Sequence, residues 1–214
     1  MTTQAAPRRL GILLSGRGSN FVAIADAITA GRISGVEIAV VISNRADAAG
    51  VGLAKARGLT VVVIESGGRT RAAHDAEIVA CLQSHGVELV CLAGYMRLLS
   101  AGFVAAFPGR ILNIHPSLLP AFAGLDAQRQ ALEYGVAISG CTVHFVDDQV
   151  DHGVIVLQRT VDVRPEDDEA ALSARILEQE HLAYPEAISR VLSGRYQVVG
   201  RRYLPAGSRG NSGL

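Results

Sequence analysis

Lysine is almost missing from this chain: of 20 basic residues only Lys55 is a lysine, and the other nineteen are arginine. Cysteine is scarce too. Cys81, Cys91 and Cys141 are an odd set of three, spaced 10 and 50 apart, which fits neither a disulfide framework nor a zinc-ligand pattern. All three sit among apolar neighbours, so they read as buried, inert thiols of a reducing cytosol. Charge of either sign is not in excess. The 20 acidic residues balance the 20 basic ones, so no net field recruits nucleic acid or an anionic membrane. No segment is continuously apolar for 18 residues, the least a membrane-spanning helix needs. The start, MTTQAAPRRLGILLSG, has too short an apolar run for a secretion signal. The expectation is a cytoplasmic protein whose partners are neither nucleic acid nor membrane.

What is present is hydrophobic sequence, 49% of 214 residues, enough for one large domain. Strand-like and helix-like runs alternate. Strands are expected at 10–14, 36–43, 59–65, 87–94 and 110–115, and helices at 21–31, 50–58, 71–85 and 100–107. Continuously apolar strands separated by helices indicate a parallel sheet covered on both faces. Later runs at 139–146 and 153–163 read as an antiparallel pair, followed by a helix over 167–192 and a short strand at YQVVG. The fold class is therefore α/β, a Rossmann-like three-layer fold with a mostly parallel central sheet and an antiparallel C-terminal portion. A single domain is expected over 9–203, between a flexible start (1–8) and a flexible tail (204–214).

Polar groups interrupt this apolar pattern in a few places. SGRGSN at 15–20 follows the first strand and opens the first helix. Glycines there allow close backbone approach, and a helix N-terminus offers unpaired N–H groups to an anion. Ser19 or Asn20 can cap that helix. The motif lacks the third glycine of a dinucleotide fingerprint and the Lys of a P-loop, so a small sugar phosphate suits it. ILNIHPSLLP at 111–120 sets Asn113 and His115 two apart on one strand face, with Pro116 ending the strand. FVDDQVDHG at 145–153 is an acidic turn holding Asp147, Asp148 and Asp151. A carboxylate beside His115 favours its imidazolium. An amide donor, an imidazolium and a carboxylate together suit acyl transfer, the first two holding a tetrahedral oxyanion and the third moving protons through water. His74, His85 and His152 read as solvent-facing; His144 lies on the polar side of its strand, where it can line a pocket; and no histidine pair has metal-ligand spacing.

HPSLLP after an upstream Asn, TVHFVDDQVDHG, SGRGSN, CLAGYMRLLS, RQALEYG and EQEHLAYPEAI together resemble the folate-dependent formyltransferases over about residues 9–203. The resemblance implies 10-formyltetrahydrofolate as co-substrate, no metal, and a phosphoribosyl-glycinamide amine as the formyl acceptor. It implies Asn113, His115 and Asp151 as the catalytic trio. It puts the substrate at Gly18, Ser19, Asn20 and Glu180, and the folate at Arg71, Met96, Arg97, Leu98, Leu99, Asn113, Asp147 and Asp148. The chain departs from some relatives at Ala121, Asp126 and Gln128, where they carry basic, aromatic or His residues, so contacts over 121–128 are expected to differ.

Rival readings share parts of this pattern. A hydrolase releasing formate from the same folate uses the same trio, and a transferase acting on methionyl-tRNA uses the same core. The first is expected to carry an additional N-terminal domain and the second a C-terminal nucleic-acid-binding domain; neither is expected beside a domain that fills 9–203. A nucleotide-binding module without catalysis accounts for GRGSN alone. Sequence leaves the assembly open, a homodimer included.

Overall fold

The computed structural model describes residues 6–208. Five strands, β1 (Arg8–Leu14), β2 (Val36–Ser43), β3 (Val61–Val63), β4 (Leu89–Leu92) and β5 (Ile111–His115), pair in parallel in the order β3-β2-β1-β4-β5. The sheet continues antiparallel through β6 (Ile138–Phe145) and β7 (Ile155–Asp162). A closing hairpin of β8 (Tyr196–Val199) and β9 (Arg202–Pro205) lies beyond, with β9 next to β7. The strand order reverses between β1 and β4, and a crevice at the carboxyl ends of such strands is where open α/β sheets bind ligands.

Helices cover both faces because the strands are apolar on both. Leu10, Ile12 and Leu14 of β1 join one cluster with Phe21 and Ile24 of α1 (Ser19–Thr29), Val51 of α2 (Ala49–Ala56), Ala131 of α5 (Ala127–Tyr134) and Ile176 and Ile188 of α6 (Glu169–Leu192). Leu13 of β1 points the other way, into a cluster with Ile78 and Leu82 of α3 (Arg71–Ser84) and Phe103 of α4 (Ala101–Ala106). Burying so many Leu, Ile and Phe side chains, each worth about 1.5–3 kcal/mol, holds the three layers together. The class and layering expected from sequence are those observed. No helix among the described residues is long and apolar enough to cross a membrane.

Several expectations need correction. The 59–65 strand shrinks to Val61–Val63, an edge strand with β2 as its one neighbour. Helix α5 was not anticipated; only Ala127 and Ala131 of its eight residues are buried, with Leu132 packed against the same cluster, so its apolar face is short and its other positions are mostly polar. The N-terminal boundary moves to Arg8, which already belongs to β1. The tail boundary moves as well: Leu204 and Pro205 complete β9, and Ser208 accepts at its main-chain oxygen from Gln197 Nε2 at 2.5 Å. The remainder of both expected flexible ends, 1–5 and 209–214, lies outside the described residues. His74 is not solvent-facing but fully buried, its Nε2 2.8 Å from the Ile64 oxygen. Cys81 is only half-buried, whereas Cys91 and Cys141 are in the core. Burial pushes the Cys141 thiol up to about 12 and raises Cys91 further.

Candidate active site

Asn113 and His115 share a strand face because β5 alternates: Leu112 and Ile114 enter the cluster of α1 and α6, and Ile111 enters the cluster of α3 and α4. Antiparallel pairing sets His144 opposite Asn113 and Thr142 opposite His115. Past the α3–α4 layer, loops 116–126 and 146–154 take over that face. Asn113 Nδ2 lies 3.3 Å from His144 Nε2. Asp151, on the loop between β6 and β7, reaches both histidines. Its Oδ2 is 3.3 Å from His115 Nδ1, and its Oδ1 is 3.7 Å from His144 Nε2. The structure thus brings the expected trio together and adds His144, which sequence reasoning credited only with lining a pocket. The signal for it was the antiparallel register of β5 with β6, unreadable without the path of the 116–137 connection between them.

Main-chain groups of loop 116–126 complete the centre. The Gly124 N–H donates to Asp151 Oδ2 at 2.9 Å, and the Phe122 oxygen lies 2.8 Å from His115 Nε2. Oxygen acceptors therefore face both ring nitrogens of His115, the arrangement an imidazolium uses in full. The loop is held by Thr142, whose hydroxyl donates to the Ser117 oxygen at 2.7 Å and accepts from Leu119 N at 3.0 Å. Gln158 Nε2 adds bonds to the Leu119 oxygen at 2.9 Å and to Thr142 Oγ1 at 3.0 Å. Phe122 and Asp126 take φ of 54° and 55°, so the divergent stretch is a tightly bent one. Burial pulls the Asp151 carboxyl up, but the nearby His144, the Gly124 N–H and the nearby His115 outweigh it and leave it below the ordinary carboxylate range.

The glycine loop follows β1. Gly18 occupies the N-cap of α1 with φ 78° and gives no side-chain cap. A Cβ there would lie 2.7 Å from Gly50 Cα, so this conformation and this approach both require glycine. The expected cap by Ser19 or Asn20 is not made. Asn20 turns inward, donating from Nδ2 to Glu180 Oε2 at 2.7 Å. The first N–H groups of α1 are thereby left to an outside acceptor. Glu180 is buried, and burial raises its carboxyl; Asn20 and then Arg17, exposed on the same loop, draw it partly back. Arg17 went unremarked in the sequence. Four residues after Glu180, the Tyr184 hydroxyl lies 3.2 Å from the Leu92 oxygen and 2.9 Å from the Leu112 oxygen, tying this part of α6 to the ends of β4 and β5.

The stretch after β4 is joined to the glycine loop through Ser15, whose Oγ accepts from Met96 N at 2.9 Å and donates to Asn44 Oδ1 at 2.6 Å. Met96 and Leu98 are 73% and 53% exposed, an apolar strip open to solvent beside the β1–β4 reversal; Leu99 packs inward and Arg97 is half-buried. Arg71 is the exposed first residue of α3, which Thr70 caps. Asp147 is engaged within its own loop, 2.8 Å from His152 Nδ1 and accepting from Gln149 N at 3.0 Å, and Asp148 is exposed. Among the described residues no group of three or more His, Cys, Asp or Glu could hold a metal ion.

An amide and an imidazole beside a carboxylate, at the strand ends of a doubly wound sheet, are a set of groups that acyl transfer can use. The family described as "Formyl transferase" matches residues 8–188, and the chain belongs to it. The Escherichia coli (strain K12) protein named phosphoribosylglycinamide formyltransferase is 44% identical over 188 residues, covering 87% of this chain and 88% of that one. A solved structure named glycinamide ribonucleotide transformylase 1, from Symbiobacterium toebii, superposes with TM-score 0.93 at 50% identity and covers 96% of this chain and 97% of that one. The Drosophila melanogaster protein named trifunctional purine biosynthetic protein adenosine-3 is 44% identical over 190 residues; they are 87% of this chain, which spans only 14% of that relative's length.

Proposed function

We propose that this chain is a phosphoribosylglycinamide formyltransferase of purine biosynthesis. It moves the formyl group of 10-formyltetrahydrofolate to the amine of 5'-phosphoribosylglycinamide, giving the N-formyl product and tetrahydrofolate. The observation that carries the reading is the near-full-length match to the E. coli enzyme of that name, 87% of one chain against 88% of the other. Convergence of Asn113, His115 and Asp151 supports the chemistry.

The acceptor amine attacks the formyl carbon, and the carbonyl oxygen becomes an oxyanion. Asn113 Nδ2–H and the His115 imidazolium stabilise it. Asp151, held against His115, takes through water the proton that the amine loses and returns it to the folate nitrogen, whose bond to the formyl carbon breaks as the oxyanion collapses. The ring N–H now spent on Phe122 is available once an oxyanion replaces that carbonyl. Electrostatic donors of this kind count most where water is excluded, and removal of one typically costs about 10²–10³-fold in rate. The acceptor's phosphate takes the open N–H groups of Gly18, Ser19 and Asn20, and Glu180 contacts the same substrate. The folate lies along Met96, Arg97, Leu98 and Leu99, with Arg71, Asn113, Asp147 and Asp148 around it. The apolar strip suits a flat pterin whose polar edge is read by backbone groups.

A cytoplasmic enzyme with small-molecule substrates, and with neither nucleic acid nor membrane as partner, belongs to the same reading. So do a single domain that takes in Arg8 and the β8–β9 hairpin, and an assembly open to a homodimer, which light scattering on the purified protein decides. The function itself is tested by absorbance with 10-formyl-5,8-dideazafolate, with and without phosphoribosylglycinamide. Product formed only with the ribonucleotide is expected. Equal turnover without an acceptor would make the chain a hydrolase and overturn the reading.

A further inference from the structure

The hairpin β8–β9 lies beyond the residues 8–188 that match the family. Its place in the sheet is fixed by an aromatic stack: Tyr196 and Tyr203 ring centroids are 4.7 Å apart, and each lies beside Phe145, at 6.2 and 6.5 Å. Phe145 is the last residue of β6, so the hairpin is anchored where the loop holding Asp151 begins. β9 also pairs with β7 at Arg202 opposite Ile155, where that loop ends. Arg201, in the hairpin turn, is thereby carried to the loop's outer side.

The loop needs holding. Asp151 has φ 49°, a left-handed conformation that Asp adopts more readily than most residues but at a cost that glycine does not carry. Three carboxylates, Asp147, Asp148 and Asp151, lie within five positions and repel one another. On the inner side Asp151 is held by Gly124 and the histidines. On the outer side the Arg201 guanidinium makes the contacts. Its Nη1 lies 2.8 Å from His152 Nε2, and its Nη2 donates to the His152 main-chain oxygen. The same Nη1 lies 3.2 Å from His152 Nδ1, which is itself 2.8 Å from Asp147 Oδ2. A chain of contacts thus runs from the hairpin through His152 to both ends of the acidic turn.

We propose that Arg201 is a positioning residue for the reaction: by pinning His152 and, through it, Asp147, it holds the 147–152 loop so that the Asp151 carboxylate stays on His115. The proposal rests on the catalytic reading of Asp151 given above. Arg201 touches no substrate group; its effect passes through the loop.

Steady-state kinetics of the full chain test it, on Arg201→Met, Arg201→Lys, His152→Ala and the Arg201→Met/His152→Ala double variant, with Asp151→Asn measured alongside. Arg201 is exposed and His152 half-buried, and contacts of such groups are individually weak. Arg201→Met is expected to lower kcat about 10-fold because a small misplacement of a reacting group is amplified in rate. The KM for the folate donor rises, and that for the ribonucleotide stays put. Arg201→Lys recovers part of the loss, since an ammonium can reach the His152 oxygen. The double variant falls no further than the worse single one. Wild-type kcat and folate KM in Arg201→Met, with Asp151→Asn inactive, overturn the proposal and leave the function standing. Full activity in Asp151→Asn overturns the catalytic reading beneath it. Equal shifts in both KM values with a lowered melting temperature assign Arg201 a merely structural role and also overturn it.

Discussion

Asn20 and Glu180 stand 160 positions apart in sequence and 2.7 Å apart in space, a buried hydrogen bond from the start of α1 to the middle of α6. The contact leaves a carboxylate in a place that disfavours its charge. Burial raises the Glu180 carboxyl above its ordinary range, so the folded chain binds that proton more readily than the unfolded chain. Stability from this group is full below the ordinary carboxylate range and falls as pH rises through the raised folded value. Glu180→Gln removes the titration. Urea denaturation is therefore expected to show the wild type losing ground to Glu180→Gln from about pH 4 upward. Parallel stability curves would sink this account. Under the proposed function the same variant raises the KM for the ribonucleotide and leaves the folate KM alone.

The two donors proposed for the oxyanion make a separate test. Asn113→Ala and His115→Ala are each expected to lower kcat about 10²–10³-fold. Asn113 is only half-buried, so Asn113→Ala keeps the wild-type fold by circular dichroism. Because both donors act on one oxygen, the double variant falls by less than the product of the single losses. Additive losses would mean that the two side chains act on different atoms or in different steps.

Gly18 links backbone geometry to the proposed phosphate site. Its φ of 78° and the 2.7 Å that would separate a Cβ from Gly50 Cα leave no room for alanine. The clash is with backbone on both sides, so relief requires α1 and α2 to part. Gly18→Ala is expected to cost more than the roughly 1 kcal/mol of a left-handed alanine alone and to weaken ribonucleotide binding more than folate binding. Gly16→Ala on the same loop serves as the control, since a Cβ there meets nothing within 4 Å. A variant at 18 as stable as the one at 16 would refute the packing argument.

The sheet was legible because its strands are apolar on both faces, a pattern only a covered parallel sheet explains. The pairing of Asn113 with His115 was legible through the period of two and the proline that follows. Asp151 was legible as an acidic turn, but its approach to His115 came only with the resemblance to a family. Contacts between distant segments left no local trace. Asn20 reads as a helix cap, and its partner lies on another helix. His74 reads as polar surface beside Asp75, yet it is fully buried, with its ring on the Ile64 carbonyl just past β3. Helix α5 is amphipathic but only eight residues long, and the two alanines and Leu132 of its inner face carry little apolar side chain. Arg201 and His152, 49 positions apart, meet only because β9 pairs with β7.

Asp151 has the opposite linkage from Glu180. Burial works against its charge, but the proximity of His144, the hydrogen bond from Gly124 and the proximity of His115 prevail, and its carboxyl titrates below the ordinary range. Its stabilising contribution is present above the ordinary carboxylate range and disappears as pH falls through the lowered folded value. Asp151→Asn keeps an oxygen for the Gly124 N–H but removes the charge between the two histidines. At pH 7 the variant is expected to be less stable by about 1.5–3 kcal/mol, the worth of charge-assisted hydrogen bonds, and its kcat to fall about 10²-fold or more. Denaturation of both proteins from pH 7 down to about pH 3 separates charge from shape. Convergence of the two stability curves at the acid end assigns the loss to the carboxylate charge. A gap that persists there means that the amide fits the loop badly, and the rate loss could then not be credited to the missing charge.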